Sequence, residues 1–292
     1  MRILFILNPT AGGTSKDGWE NSIAEYFPAG GDHTHEFFRM EGEDCADACQ
    51  NAIATFKPDR VGAIGGDGTL KFAAEMLLGT GISIAFLPAG SANGMARELG
   101  LSTEPKECLD ILVNGTSKAM DAVRLNGHIS IHLADLGLNA QLVKYFDEGE
   151  GRGMMGYAKQ VVRVMRNGHQ MRLVISVQGE TLKRRAWMLV FANASTYGTG
   201  AAINPDGSLY DGHFEIVLLK RRWFWEMVRM LVRKQSTENK RLTEIISAEK
   251  ATITMRRAAH FQVDGEYIGK VQKVEATVEK GAVMMLVPKE TP

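Results

Sequence analysis

From its first residues to about residue 115 the chain alternates short apolar runs with longer amphipathic ones. "ILFIL" (3–7), "RVGAI" (60–64) and "SIAFLPA" (83–89) are apolar stretches of strand length, and "HTHEFFRM" (33–40) is strand-like. Between and after them lie "DGWENSIAEYF" (17–27), "DCADACQNAIATF" (44–56), "LKFAAEMLLG" (70–79), "ANGMARELG" (92–100) and "EPKECLDILVNG" (104–115), whose apolar residues recur at helical spacing. Strand and helix in strict alternation predict βαβ units and a parallel sheet, with right-handed crossovers.

Beyond about residue 120 the pattern changes to short β-rich runs: "KAMDAVRL", "ISIHLADLG", "MRLVISVQG", "AWMLVFANAS", "FEIVLLK", "ATITM", "FQVDGEYIG", "KVEATVEKG" and "VMMLVP". Turn signals separate them, among them Asn126-Gly127, Gln178-Gly179, Asp206-Gly207 and Asp211-Gly212. This series predicts an antiparallel sandwich or barrel. Two helices, around 154–167 and 222–234, are expected to interrupt it. The expected fold is therefore an α/β nucleotide-binding domain with a parallel sheet over 1–122, plus a mainly antiparallel β-sandwich over 123–281. The last strand, about 282–292, is expected to return to the first domain.

Composition narrows the classes. Apolar residues make up 45% of the 292, which fits a folded globular chain. The 34 basic and 34 acidic residues cancel, so no excess of positive charge points to nucleic acid. The three cysteines, Cys45, Cys49 and Cys108, are odd in number and form no CxxC. They read as reduced thiols in a reducing compartment. The apolar start spans only residues 3–7, and no run approaches the roughly 20 apolar residues of a membrane span. A cytoplasmic protein, peripheral to a membrane at most, is expected, and a homodimer is left open.

The candidate chemistry begins at "GAIGGDGTLKF". A strand is expected to end at Ile64, with Thr69 as N-cap of a helix whose Leu70, Ala73, Ala74 and Leu77 form a buried face. Gly65, Gly66 and Gly68 let a bound group approach the backbone, and their N–H groups with the helix N-terminus make an anion site. The plainer reading is a tight turn at a strand–helix junction. A second loop, "SIAFLPAGSANGMAREL", repeats the design, with Gly90 and Ser91 in the places of Gly68 and Thr69 and Asn93 as a helix cap. Two such loops would bring two helix N-termini to the edge where open α/β sheets bind ligands.

"GGDGT" (65–69) followed by "LPAGSANGMAR" (87–97) resembles the diacylglycerol-kinase catalytic-domain family of bacterial lipid kinases, diacylglycerol kinases, sphingosine kinases and ceramide kinase. So do "NPTAGG" (8–13), "MGYAKQVVRVMRN" (155–167), "FANASTYGTGAAINPDGSLYDGHFEIVLL" (191–219) and "FQVDGE" (261–266), in the family's order. "GGDGT" alone would be weak, since NAD kinases share it. The resemblance implies ATP and Mg²⁺ as cofactors. The nucleotide would be held by Asn8, Gly65, Gly66, Asp67, Gly68, Thr69, Gly90, Ser91 and Asn93. The acceptor would be a lipid hydroxyl at a membrane surface. It also implies a structural magnesium bound by Asp206, Asp211 and the Leu209 carbonyl, where two surface turns are the plainer reading. Two departures stand out: Gly94 replaces the family's usual second acid, and Met40 stands where bacterial members often have Thr. Asp121, which resembles a third member of the acidic network, is kept.

Phosphoryl transfer needs positioning and charge neutralisation, and a base for the acceptor's proton adds about 10²–10⁴-fold. Asp264 and Glu266 are the candidates; two apart on a strand they would face one side, although Asp-Gly is also a hairpin turn. Either could carry the proton. "KRRWFWEMVRMLVRK" (220–234) is the clustered cationic and aromatic stretch, a membrane contact or a helix packed on the sandwich. Two alternatives to a lipid kinase stay open: an NAD kinase-like hydroxyl kinase, and a nucleotide-responsive lipid binder with little turnover.

Overall fold

The computed structural model describes residues 1–9, 16–28, 30–147, 169–196, 202–220 and 243–289. In chain order its elements are β1 (Arg2–Leu7), α1 (Lys16–Tyr26), β2 (Thr34–Arg39), α2 (Cys45–Phe56), β3 (Arg60–Gly65), α3 (Asp67–Leu77), β4 (Ser83–Pro88), α4 (Gly94–Glu98), α5 (Pro105–Asn114) and β5 (Thr116–Leu125). There follow β6 (His128–Ser130), β7 (Leu133–Gly137), α6 (Leu138–Asp147), β8 (Met171–Val177), β9 (Glu180–Ala186), β10 (Met188–Ala192), β11 (Phe214–Leu219), β12 (Thr243–Ala248), β13 (Lys250–Val263) and β14 (Glu266–Val287). The chain divides into two compact units, Met1–Met120 with Gly281–Pro292, and Asp121–Lys280.

The first unit is a parallel sheet in the order β2–β1–β3–β4, and the end of β14 joins it beside β4 through the Met285–Ile84 pair. β1, β3 and β4 are buried almost end to end, as in a sheet covered on both faces. Ile3, Phe5 and Leu7 share a core with Trp19 and Ile23 of α1 and Leu109 and Leu112 of α5. Leu4 and Ile6, which alternate with them, are equally buried. After β2 the chain crosses to the other side of β1 to form β3, so the strand order reverses between β1 and β3. In open α/β sheets, the crevice at the carboxyl ends of such a pair is where ligands bind.

The second unit is antiparallel, with β12–β11–β10–β7–β13–β14 in order and β8 and β9 added beside β13. Its core joins Phe191, Phe214 and Phe261 with Leu136, Ile175, Ile216 and Ile253. Asn126-Gly127 and Gln178-Gly179 make the two-residue turns between β5 and β6 and between β8 and β9, all four residues at positive φ.

Three expectations are corrected. "ISIHLADLG" is two strands rather than one, broken at Ile131–His132. "LNAQLVKYFD" forms α6, a helix the run of strands did not suggest. "KVEATVEKG" and "VMMLVP" are one strand with the residues before them, because Gly281 (φ +59) sits inside β14 instead of ending it. The expected helices at 154–167 and 222–234, the Gly-x-Gly at 198–200 and most of "NPTAGG" lie outside the described residues.

Candidate active site

In the first unit the carboxyl ends of β1, β3 and β4 carry Asn8, the 65–69 loop and the 90–93 loop. Asn8 donates its backbone N–H to the Ile64 carbonyl (3.2 Å), and Ala89 donates to that of Gly65 (2.7 Å). The three strand ends are thereby tied side by side. The two glycine loops touch: a Cβ on Gly90 would lie 2.5 Å from the Gly66 Cα, a distance only glycine avoids.

The caps differ from those expected. α3 begins at Asp67 with Gly66 as its N-cap, and Thr69 lies inside the first turn. Its hydroxyl is buried against Gly65 and has no hydrogen-bond partner. The Thr69 and Leu70 N–H groups go to the Gly66 carbonyl (3.0 and 3.1 Å). Asn93 precedes α4 in the left-handed region (φ +48), but its side chain does not cap the helix. Its Oδ1 accepts the Gly90 N–H (3.0 Å) and its Nδ2 donates to the Gly90 carbonyl (2.8 Å), closing the loop on itself.

The cap of α4 is Asp67. Its Oδ2 accepts the Gly94 N–H (2.7 Å) and its Oδ1 the Met95 N–H (2.9 Å). A carboxylate at a helix N-terminus is favoured both by the unpaired N–H groups and by the helix dipole. This answers the departure at position 94: Asp67 meets backbone N–H groups there rather than a second acid. It also means that the α4 N-terminus is filled from within the protein. Of the two helix N-termini expected to face a ligand, that of α3, with exposed Gly68 in its first turn, remains. Ser91 is exposed at the tip of the second loop.

In the second unit, "VDGE" is the β13–β14 hairpin. Asp264 (φ +48) and Gly265 (φ +88) are its two turn residues, and Glu266 opens β14 opposite Val263. Because Asp264 is in the turn, strand alternation does not align it with Glu266. The Asp264 carboxylate accepts from the Ser130 hydroxyl (2.7 Å) and from the backbone N–H groups of Ile131 (2.8 Å), His132 (3.1 Å) and Leu133 (3.0 Å). Those bonds explain the break between β6 and β7. Three of these donors meet at Oδ1 and one at Oδ2, so the carboxylate is held in place from the β6–β7 side. Glu266 is exposed at the strand start.

The turn is fixed from behind by residues the sequence did not single out. Gly265 N–H donates to Gln262 Oε1 (2.7 Å), and Gln262 Nε2 donates to Asp135 (2.5 Å), which also receives Asn139 Nδ2 (2.6 Å) and the Ala140 N–H of α6 (2.8 Å). Gln262 and Asp135 are 2% and 0% exposed. Polar residues inside the apolar runs "FQV" and "LADLG" were the available signal, since a buried polar group must find a partner.

Asp121 binds the "PDGSLYDG" segment: its N–H donates to the Leu209 carbonyl (2.8 Å) and its carboxylate accepts the Gly212 N–H (2.6 Å). Asp206 and Asp211 are exposed on either side of buried Leu209, and Asp211 Oδ1 accepts the His213 N–H (3.0 Å). Two carboxylates and a carbonyl with a second lone pair are a hard-oxygen donor set, which fits Mg²⁺ completed by water. Among the described residues no cluster of three or more His, Cys, Asp or Glu could hold a metal. Beyond this segment, burial pushes the Cys49 and Cys108 thiols up to about 12, with Cys45 adding to the first and Glu107 and Glu104 to the second. Cys45 is half-buried. No described helix is long and apolar enough to cross a membrane.

The diacylglycerol kinase catalytic domain profile matches residues 2–125, and that of the YegS C-terminal NAD kinase beta sandwich-like domain matches 134–287. A diacylglycerol kinase of Bacillus subtilis (strain 168) is 25% identical over 276 residues, 92% of this chain and 90% of its own. A solved diacylglycerol kinase structure from Bacillus anthracis str. Sterne superposes with a TM-score of 0.74 at 17% identity, covering 98% of this chain and 96% of its own. Yeast NADH kinase complexed with NADH superposes with a TM-score of 0.55 at 13% identity, covering 100% and 84%, a likeness of fold alone.

Proposed function

Since the chain belongs to the diacylglycerol kinase catalytic-domain family, with an NAD kinase-like α/β unit and an antiparallel β-sandwich unit, we propose that it is an ATP-dependent lipid kinase. The observation that carries this reading is the glycine loop at the N-terminus of α3, beside Asn8 where the strand order reverses, with Asp67 already committed to α4. That leaves the Gly66–Gly68 backbone N–H groups for phosphate oxygens, with the Thr69 hydroxyl as an unsatisfied group beside them. Asn8, Gly90, Ser91 and Asn93 complete the nucleotide-binding edge. Asp67 acts by holding the second loop against the first.

The acceptor is a lipid hydroxyl, of diacylglycerol, a sphingoid base or a related lipid presented at a membrane surface. Its oxygen forms a bond to the γ-phosphorus, the bond from that phosphorus to the β-bridging oxygen breaks, and ADP leaves with the electron pair. Glu266 takes the hydroxyl proton. Asp264, anchored by four donors, positions the hairpin that carries Glu266. Mg²⁺ bound with the nucleotide supplies neutralisation of phosphate charge. A second, structural Mg²⁺ would be held by Asp206, Asp211 and the Leu209 carbonyl.

The test is labelled ATP offered with diacylglycerol, sphingoid bases, phosphatidylglycerol and NAD in turn. Label in one lipid and none in NAD is expected. Label in NAD would replace this reading with a soluble hydroxyl kinase. Binding of ATP and lipid with no labelled product would replace it with a nucleotide-responsive lipid binder.

A further inference from the structure

The outer face of the β9–β8–β13 strands in the second unit carries a concentration of positive charge that catalysis does not use. Arg172 on β8 stands directly opposite Arg185 on β9, and Val174 opposite Lys183. Arg256 follows the Met255–Leu173 pair on β13 and borders the same two surface depressions as Arg172, about 580 and 630 Å³ in volume. Arg257, Lys270 and His169 line the first depression; Lys183, Arg185 and Lys220 line the second. The arginines at 172, 185 and 256 are exposed, and no carboxylate lies within ion-pair distance of them among the described residues.

Like charges directly opposite on neighbouring strands destabilise a sheet. Here an arginine faces an arginine in a chain whose total charge is zero. Neighbouring cations show that acids were available to the fold: Arg184 and Lys220 both pair with Glu244. The row at 172, 185 and 256 therefore carries an unneutralised cost that an external anion would relieve.

We propose that this face docks on an anionic phospholipid bilayer, with Arg172, Arg185, Arg256 and Lys183 against lipid phosphates. Val174, 38% exposed in the middle of the face, presents an apolar side chain toward the interface. A single-stranded polynucleotide fits less well, because among the described residues no Phe, Tyr or Trp lines either depression to stack successive bases, and the rings there are the His169 and His260 imidazoles of the first. The choice of a bilayer rests on the lipid-kinase reading. The test reads docking alone, so a failure of docking and a failure of turnover are separate results.

Vesicles of phosphatidylcholine, and of phosphatidylcholine mixed equally with phosphatidylglycerol, are floated with the full chain. Flotation with the mixed vesicles only, weakening as salt rises, is expected. Each arginine near an anionic surface contributes about fivefold to partitioning, so Arg172→Gln, Arg185→Gln and Arg256→Gln together should lower it about a hundredfold. The triple variant should unfold no earlier than the wild type, because the opposed charges are gone, and should keep turnover on a dispersed short-chain acceptor. Wild type that stays with neither vesicle, or a triple variant that floats as well as wild type, overturns the proposal. So does a single-stranded oligonucleotide that outcompetes the mixed vesicles for the face.

Discussion

The two units treat buried polar groups in opposite ways. In the first, the buried polar side chains among the described residues are Thr69 and Lys71. In the second they are Asp121, Ser130, His132, Asp135, Asn193, Asn204, Glu215, Thr243 and Gln262. The buried interior of the parallel sheet is apolar, and the glycine loop at its carboxyl edge presents backbone N–H groups at the start of α3. The antiparallel unit holds its β13–β14 hairpin by an internal polar network, in which an unsatisfied member is costly. The contrast teaches where side-chain chemistry should matter. Under the proposed function, the geometry of the main chain would decide activity in the first unit and the identity of single carboxylates in the second.

The sharpest break of that contrast is at the hairpin, where Asp264 and Glu266 are two residues apart with different surroundings. Glu266→Gln is expected to lower lipid phosphorylation by about 10²–10⁴-fold, the usual contribution of a positioned base, with nucleotide affinity unchanged. Asp264→Asn puts an amide where three backbone N–H groups and a hydroxyl donate, and is expected to cost about 2 kcal/mol of stability in thermal or urea unfolding. If Glu266→Gln unfolds the chain while Asp264→Asn removes only turnover, the two roles are reversed.

The matching test in the first unit touches no side-chain chemistry at all. Gly90→Ala drives a methyl to within 2.5 Å of the Gly66 Cα and 2.8 Å of Asn93 Oδ1, so the two loops must part. Overpacking of this kind costs about 1–3 kcal/mol. Nucleotide affinity, measured by calorimetry, should fall about tenfold. Unchanged affinity would mean that the contact between the loops is not what shapes the phosphate site.

The same contrast explains what could be read in advance. The strand–helix alternation of the first unit was legible because β1, β3 and β4 are buried on both faces and α2, α3 and α5 each bury one face. The two glycine loops were legible because their spacing is a local property. The cap of α4 was not, since Asp67 reaches Gly94 and Met95 across 27 and 28 residues, and local spacing pointed to Asn93 instead. In the second unit, hairpins marked by Asn126-Gly127 and Gln178-Gly179 were visible. The partners of Asp264 lie more than 130 positions away, and no local pattern announces them. Nor did an apolar run such as "ISIHLADLG" reveal that a distant carboxylate would break it in two.

The smallest effect should appear in the pH dependence of stability in acid, and it should belong to the second unit, since among the described residues the shifted groups of the first are the Cys49 and Cys108 thiols and the Tyr26 phenol, which titrate far above that range. Burial raises the Glu215 carboxyl above its ordinary value of 4.5, an effect only partly offset by the Asn204 amide (2.5 Å) and the Ser247 hydroxyl (3.2 Å) that donate to it. A group whose pKa is higher folded than unfolded binds its proton more tightly in the fold. Its contribution is therefore fully present below 4.5 and is lost as pH rises through the raised folded value. Glu215→Gln keeps the Asn204 donation, turns its own amide toward the Ser247 oxygen, and has no proton to lose. The variant should match wild type in acid and exceed it increasingly as pH rises through that window, read from urea midpoints at several pH values. Gly90→Ala, by contrast, should shift the midpoint by the same amount at every pH. A Glu215→Gln curve parallel to wild type throughout would show that this carboxyl is solvated well enough to titrate normally, and the division between an apolar first unit and a polar second one would lose its electrostatic consequence.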